Sequence, residues 1–308
     1  MAELEEQSGK NKMSEKLMVK AKQFKWAWFF KAATLSVVLL TIAYLGFFSP
    51  QFGQPFYNWL LFHPWKYPHG LYNNPAVVGI KPRDVYFNAP DGSRLHAWLY
   101  KAQKSQRIFL FSHGNGANIT FRSGVSAMLL KTGNSVFVYD YEGFGRSEGQ
   151  PSMAKVCDDG LAAYNYLVDD LHYSPKQIML FGESLGTSVT GDIASRVKCA
   201  AVILECPLYS IIRRGNELLP ITNLYPAWMW PHNGLDNSKV FAKEHAPLLI
   251  VAGTKDYITP VAHGDDLFAI ACQPKSYIRI EGAGHGDQIM MQSPRYESQL
   301  RQFLNSIQ

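Results

Sequence analysis

The stretch "LFGESLGTSVT", residues 180–190, sets a serine between two glycines, with an apolar run before it and small residues after it. Gly-rich pentapeptides mark turns in many chains, so a G-x-S-x-G match carries weight only between a strand and a helix. Both are present. "QIMLFGES" (177–184) reads as a buried strand, and the chain from 185 to 196 reads as a helix. A turn this sharp demands small residues two positions away on each side, which Gly182 and Gly186 supply. It lifts the Ser184 hydroxyl onto a helix N-terminus, whose dipole favours developing negative charge. Ser184 is the candidate nucleophile.

A hydroxyl alone is a weak nucleophile and needs a base and an orienting carboxylate, in the chain order Ser, Asp, His for a serine on this kind of elbow. Asp256 ends the apolar run "PLLIVAGTKD" (247–256), and His285 ends "SYIRIEGAGH" (276–285). Each follows a different strand. The competitors are weaker: Asp265 and Asp266 fall within a helix, Asp287 lies too near His285 to come from a separate loop, and His245 and His263 flank helices. Backbone donors for a tetrahedral oxyanion are expected from Leu185 and from Asn115, in the loop "FSHGNGANI", with Gly116 as the alternative to Asn115. Read blandly, His-Gly-Asn-Gly is a flexible turn. His113 has no companions at metal-ligand spacing, so neither a metal nor a cofactor is expected.

Working outward, "RIFLFSHG" (107–114), "NSVFVYDY" (134–141) and "CAAVILEC" (199–206) are further short apolar runs, and "RDVYFNAPDGSRLHAWLYKA" alternates on either side of Pro90-Asp91-Gly92 as a β-hairpin does. Helical stretches are expected at 119–132, 153–170, 185–196, 260–272 and 290–306. This alternation predicts an α/β fold: a mostly parallel central sheet, helices on both faces, and an antiparallel hairpin opening it. Residues 207–246 break the rhythm. An insertion this long after a sheet strand reads as a small helical lid, and its cluster Tyr225, Trp228, Met229, Trp230 nominates Trp228 and Met229, with Tyr141 and Gly116, as substrate-binding residues. An inert extra helix pair is the alternative.

The chain of 308 residues carries a formal charge of +5, but seven lysines lie within its first 31 residues, so the excess belongs to the N-terminus. No basic stripe or nucleic-acid motif appears in the remainder, and nucleic acid is excluded as a partner. Four scattered cysteines make no disulfide framework. Cys199 and Cys206 flank one strand and would sit roughly 20 Å apart, and Cys157 and Cys272 read as buried free thiols.

Residues 32–48, "AATLSVVLLTIAYLGFF", carry no charge. At 1.5 Å per residue they span roughly 26 Å, enough for a bilayer core. With Trp26, Trp28, Phe29 and Phe30 ahead as an interfacial belt, they read as a single-pass transmembrane anchor. A cleaved signal peptide and a buried core helix are the alternatives, the first disfavoured by the long charged segment and the lack of an A-x-A-like site. The lysines precede this segment and the next basic residue is Lys66, so residues 1–31 are expected in the cytoplasm and the bulk of the chain in a periplasm or lumen. Residues 49–79, aromatic and apolar from Phe52 to Trp65, read as a juxtamembrane segment or as a helix packed on the domain. The catalytic domain is then 80–308.

Taken together, "SHGNGAN", "VYDYEGFGRSEG", "LFGESLGT", "VAGTKDYITP" and "GAGHGD" resemble the α/β-hydrolase superfamily over roughly residues 80–308. They are most similar to its membrane-anchored serine hydrolases. That resemblance implies Ser184 as nucleophile, His285 as general base and Asp256 as the group that orients the imidazole. It implies hydrolysis of a lipid-like or small-molecule acyl ester at a membrane, with acyl-thioester or peptide cleavage on the same site, or a non-catalytic binding protein, as alternatives. Glu142 departs from the pattern, standing where relatives commonly carry a basic residue, and Asn115-Gly116-Ala117 differs slightly from the usual loop.

Overall fold

A computed structural model describes residues 2–72, 76–103, 105–231 and 235–307. Positions 73–75 of the expected juxtamembrane segment and 232–234 of the expected insertion lie outside the described residues. The chain forms two compact units, one ending at Gly53 and one beginning at Gln54.

The first unit is dominated by one helix, α1 (Ala2–Phe47). It begins far upstream of the apolar stretch because the lysine- and glutamate-rich run ahead of it is made of good helix formers with no proline. It stops ahead of Ser49-Pro50, since proline disfavours helix in the residue before it and offers no N–H. Its part from Met18 to Phe47, 30 residues, is long and apolar enough to cross a membrane, and no other helix among the described residues is.

In the second unit an eight-stranded sheet is ordered β10-β9-β8-β7-β4-β6-β3-β2. The hairpin β2 (Arg83–Asn88) and β3 (Arg94–Tyr100) is antiparallel and opens it; β3 pairs antiparallel with β6 (Ser135–Tyr139). From there β4 (Ile108–Ser112), β7 (Ile178–Glu183), β8 (Ala201–Glu205), β9 (Leu248–Gly253) and β10 (Lys275–Ile280) are all parallel. Continuous apolar runs arise because both faces are covered. Ile108 and Leu110 of β4, with Ile178 and Leu180 of β7, face a core completed by α4 (Met153–Asp169), α5 (Leu185–Arg196) and α8 (Val261–Ile270). The alternate residues Phe109, Phe111, Met179 and Phe181 face a second core closed by α3 (Ser123–Lys131) and α10 (Pro294–Ser306).

Two expectations change. The helix expected over 290–306 is two pieces, α9 (Gln288–Met291) and α10, because Ser293 caps the second with its side chain and Pro294 takes its first position. The compact unit begins at Gln54, not 80: α2 (Gln54–Leu61) buries Tyr57, and Phe62 enters the core against Phe144. A two-residue strand β1 (His63–Pro64) follows and pairs in parallel with β5 (Gly116–Ala117), outside the main sheet. The insertion contains α6 (Ile211–Leu218), two short 3-10 turns over Pro220–Leu224 and Ala227–Met229, and α7 (Asn237–Phe241).

Candidate active site

β7 ends at Glu183 and α5 begins at Leu185, so Ser184 alone makes the turn, at φ 55° and ψ −120°. A non-glycine residue held there costs on the order of 1–3 kcal/mol, which the surroundings must offset. They do so by hydrogen bonds. The Ser184 N–H donates to the Glu205 carbonyl at 2.9 Å, and the Thr187 hydroxyl donates to the Ser184 carbonyl at 2.6 Å. The flanking glycines are required by contact: a Cβ on Gly186 would run into the Ser112 carbonyl oxygen, and one on Gly182 would lie 2.6 Å from the Thr190 hydroxyl. The Ser184 side chain stands at the head of α5. Leu185 is the first residue of that helix, so its N–H has no acceptor within it.

Asp256 and His285, from the loops after β9 and β10, meet: imidazole Nδ1 lies 2.7 Å from Asp256 Oδ2. The Thr259 hydroxyl donates to the same oxygen at 2.8 Å, and the N–H groups of Ile258 and Thr259 each donate to Oδ1 at 2.8 Å. Burial pushes the Asp256 carboxyl up, but the His285 and Thr259 bonds outweigh it and hold it below the ordinary carboxylate range. An ionised Asp256 makes Nδ1 the protonated nitrogen and leaves Nε2 as the basic one. Among the described residues no hydrogen bond joins Ser184 Oγ to His285. The Glu205 carbonyl holds Ser184, and its Oε1 lies 4.0 Å from where a Cβ on Gly286, next to His285, would stand.

Asn115 and Gly116 sit in a loop that reaches Ser184, since a Cβ on Gly114 would be 3.5 Å from Ser184 Cβ. Tyr141, expected to bind substrate, is fully buried beneath that loop and donates its hydroxyl to the His113 carbonyl at 2.8 Å. Through that bond Tyr141 braces the loop that carries Asn115. Of the aromatic cluster in the insertion, Tyr225 and Trp230 are buried, Trp230 against Gly215, whereas Trp228 is 74% exposed. Glu142 points away from the site. Its carboxylate is buried and pairs with Lys155 of α4 at 2.5 Å, so the departure from the family pattern is compensated locally.

The competing residues are engaged elsewhere. Asp265 accepts from Tyr277 and Arg279, Asp266 pairs with Arg213, and Asp287 caps α9. His263 accepts from the Tyr209 N–H at Nδ1 and faces Glu217 with Nε2. His245 lies against the Ala246 carbonyl. Cys206, Asp256 and His285 bring potential ligand atoms within 4.8 Å of one another. A metal there would need the thiolate, and burial pushes the Cys206 thiol well up while Asp256 and His285 are occupied by each other. All four cysteines are free, with Cys157 buried and Cys272 half-buried.

Several residues escaped the sequence reading. Thr259 follows Asp256 at a spacing suited to a side-chain–backbone turn, a signal present in "DYIT". Arg122 pairs with Glu183 at 3.0 Å, next to Ser184 in sequence. Glu205, opposite Glu183 across β7 and β8, is fully buried and accepts from the Tyr296 hydroxyl at 2.7 Å. Burial first, and the Glu183 charge next, push its carboxyl up to about 8 despite that bond.

Known proteins resemble this chain over the same region. A family model described as serine aminopeptidase, S33, matches residues 103–245, which include the elbow and stop short of Asp256 and His285. An uncharacterised protein of Mycobacterium tuberculosis is 30% identical over 234 residues, 75% of this chain and 82% of the relative. Alpha/beta hydrolase domain-containing protein 17C of Mus musculus is 33% identical over 208 residues, 66% of this chain and 61% of its own length. Among solved structures, an esterase of Pyrococcus furiosus superposes with a TM-score of 0.65 at 18% identity, over 80% of this chain and 97% of that one. By sheet order, strand-end loops and these likenesses, the chain is a hydrolase that belongs to the α/β-hydrolase superfamily.

Proposed function

We propose that the protein is a membrane-anchored serine hydrolase that cleaves carboxylic esters of lipid-like acyl chains through an acyl-enzyme. Ser184 attacks the carbonyl carbon, His285 Nε2 takes the hydroxyl proton, and Asp256 stabilises the imidazolium. The N–H groups of Asn115 and Leu185 receive the oxyanion. His285 then gives its proton to the leaving alcohol, and a water, activated by the same imidazole, hydrolyses the acyl-enzyme. The observation that carries the reading is Ser184 held at φ 55° at the head of a helix, with an imidazole–carboxylate pair at 2.7 Å on the neighbouring strand ends.

Anchoring by residues 32–48, within the membrane-length part of α1, supports an acyl substrate, as do the exposed Phe56, Trp59 and Leu60 of α2. The lysines ahead of that stretch assign residues 1–31 to the cytoplasm and the unit from Gln54 to the opposite side. Protease added to right-side-out vesicles should digest that unit; protection from it would reverse the assignment. Aminopeptidase activity, suggested by the name of the matching family model, is disfavoured because an N-terminal ammonium needs an unpaired carboxylate near the nucleophile. Glu183 is taken by Arg122, and Glu205 is buried against Tyr296.

The test is Ser184→Ala in the full chain. Labelling by a fluorophosphonate and cleavage of p-nitrophenyl acyl esters should both vanish. Survival of both in the variant sinks the reading.

A further inference from the structure

The loop that carries Asn115 is held by a stretch lying outside the main sheet. The Asn115 side-chain amide turns away from the serine and donates to the Leu61 carbonyl at the end of α2, at 2.8 Å. The His63 N–H donates to the Asn115 carbonyl at 2.8 Å, and the Trp65 N–H to the Ala117 carbonyl at 3.0 Å, with His63 opposite Gly116 and Pro64 opposite Ala117. Asn118 fastens the far end by donating to the carbonyls of Trp65 and His69 at 2.8 and 2.7 Å. From the other side Arg122 donates to the Gly116 carbonyl at 2.9 Å while pairing with Glu183. His113 Nδ1 lies 2.7 Å from the Gly114 carbonyl, the oxygen of the peptide plane that carries the Asn115 N–H.

Every carbonyl from Gly114 to Ala117 therefore has a partner. A peptide unit is planar and trans, so the Gly114 carbonyl, held by His113, sets the plane of the Asn115 N–H, and the Asn115 carbonyl, held by His63, sets that of the Gly116 N–H; the Asn115 side chain tied to Leu61 pins the Cα between the two planes. Oxyanion stabilisation depends on that direction, because a donor helps only when it is aimed beforehand at the place where charge develops.

We propose that residues 61–69 form a strap that aims the Asn115 N–H, with the Asn115 side chain as the positioning residue that ties the loop to α2. This rests on the reading of Ser184 as nucleophile and Asn115 N–H as oxyanion donor. The segment leading out of α2 is then part of the catalytic apparatus, and the asparagine at 115 is selected for its tie to Leu61 and not for contact with substrate.

Two full-chain variants test it. Asn115→Ala keeps the backbone donor and deletes the tie; Asn115→Asp keeps the shape and sets an acceptor against the Leu61 carbonyl. Loss of one oxyanion donor typically costs about 100- to 1000-fold, so a loosened donor should lower kcat on a p-nitrophenyl ester by roughly 10- to 100-fold. KM should stay within about twofold. Affinity for an alkyl trifluoromethyl ketone, which forms a tetrahedral adduct on the serine, should fall in parallel with kcat. Unchanged kcat in both soluble variants overturns the proposal, and so does a fall in kcat with ketone affinity intact. Should Asn115→Ala fail to fold, Asn115→Asp decides alone: wild-type behaviour there shows that shape suffices and removes the positioning role. Ser184→Ala run alongside separates this failure from that of the parent reading, since activity surviving in it removes the nucleophile assignment itself.

Discussion

The loops carrying Asp256 and His285 and the insertion over 207–246 all leave the carboxyl ends of parallel strands, yet they are held by different means. The two loops are laced by backbone bonds: Thr254 N–H to the Ile280 carbonyl at 3.1 Å, Lys255 N–H to the Ala283 carbonyl at 2.8 Å, and Gly284 N–H to the Asp287 side chain at 2.7 Å. The insertion is rooted in the core by Leu208, Ile211, Trp230 and Phe241, and its outer helix α6 is fastened further by partly exposed charges. Arg213 meets Asp266 at 2.7 Å, Glu217 meets His263 at 3.0 Å, and Arg214 reaches the Tyr257 carbonyl at 3.3 Å. Exposed ion pairs contribute roughly 0–1 kcal/mol each. Leu218, Ile221, Leu224 and Trp228 of the insertion remain in solvent. The loops carrying Asp256 and His285 are thus fixed largely by backbone groups, whereas the outer edge of the insertion, from Leu218 to Trp228, is fastened by contacts that cost little to break.

The contrast is broken most severely at Asp256. In Asp256→Asn the four donors around the carboxylate face a half-acceptor, and the amide stabilises the wrong imidazole tautomer. We predict a loss in kcat of about 1000- to 10000-fold with the fold retained, checked by steady-state kinetics and thermal melting. A loss under tenfold would remove Asp256 as the orienting carboxylate and move attention to Glu205.

Glu205 sharpens the same contrast in the rigid half. Its carboxyl rises from an ordinary 4.5 to about 8 in the folded protein, so between those values the folded chain keeps a proton that the unfolded chain has shed. The stability tied to that proton is present in full below about pH 4.5 and is lost as pH rises towards about 8. Glu205→Gln supplies a neutral group of the same shape beside Tyr296. The variant should melt with a shallower decline of Tm from pH 5 to 8 than the parent, the difference being on the order of a few kcal/mol across the window. Parallel Tm profiles for variant and parent would show that the carboxyl is not held protonated.

The rigid half was also the legible half. Ser184, Asp256 and His285 could be nominated because strand-end loops follow apolar runs, and an apolar run is a local property of sequence. The bonds that join residues 54–69 to the compact unit run to Asn115, Ala117, Asn118 and Gly145, about 50 to 80 positions away, and use mainly backbone groups that any residue type supplies, so no local run in the sequence marks where that unit begins. The place of Tyr141 is non-local for a related reason: a tyrosine at the end of a strand can face outward or lie against a neighbouring loop, and the parallel pairing of β6 with β4 sets its hydroxyl against the His113 carbonyl. The Glu183–Glu205 pairing required the register of two strands whose connection contains all of α5.

The smallest expected effect lies in the insertion. Trp228 stands on a 3-10 turn with most of its indole in solvent, while its neighbours Tyr225 and Trp230 are buried. Burial of the two neighbours accounts for their apolar character through packing; Trp228 has no such account within the described fold. An acyl chain that covers part of the indole would gain about 1–2 kcal/mol, or roughly 5- to 30-fold. We therefore predict that Trp228→Ser lowers kcat/KM by that factor for a long-chain p-nitrophenyl ester and leaves the short-chain ester within about twofold, with Tm unchanged. An equal loss on both esters would place Trp228 in support of the catalytic loops and erase the division of labour. No loss on either would leave Met229, of the two residues nominated in the insertion, as the one to carry chain-length selection.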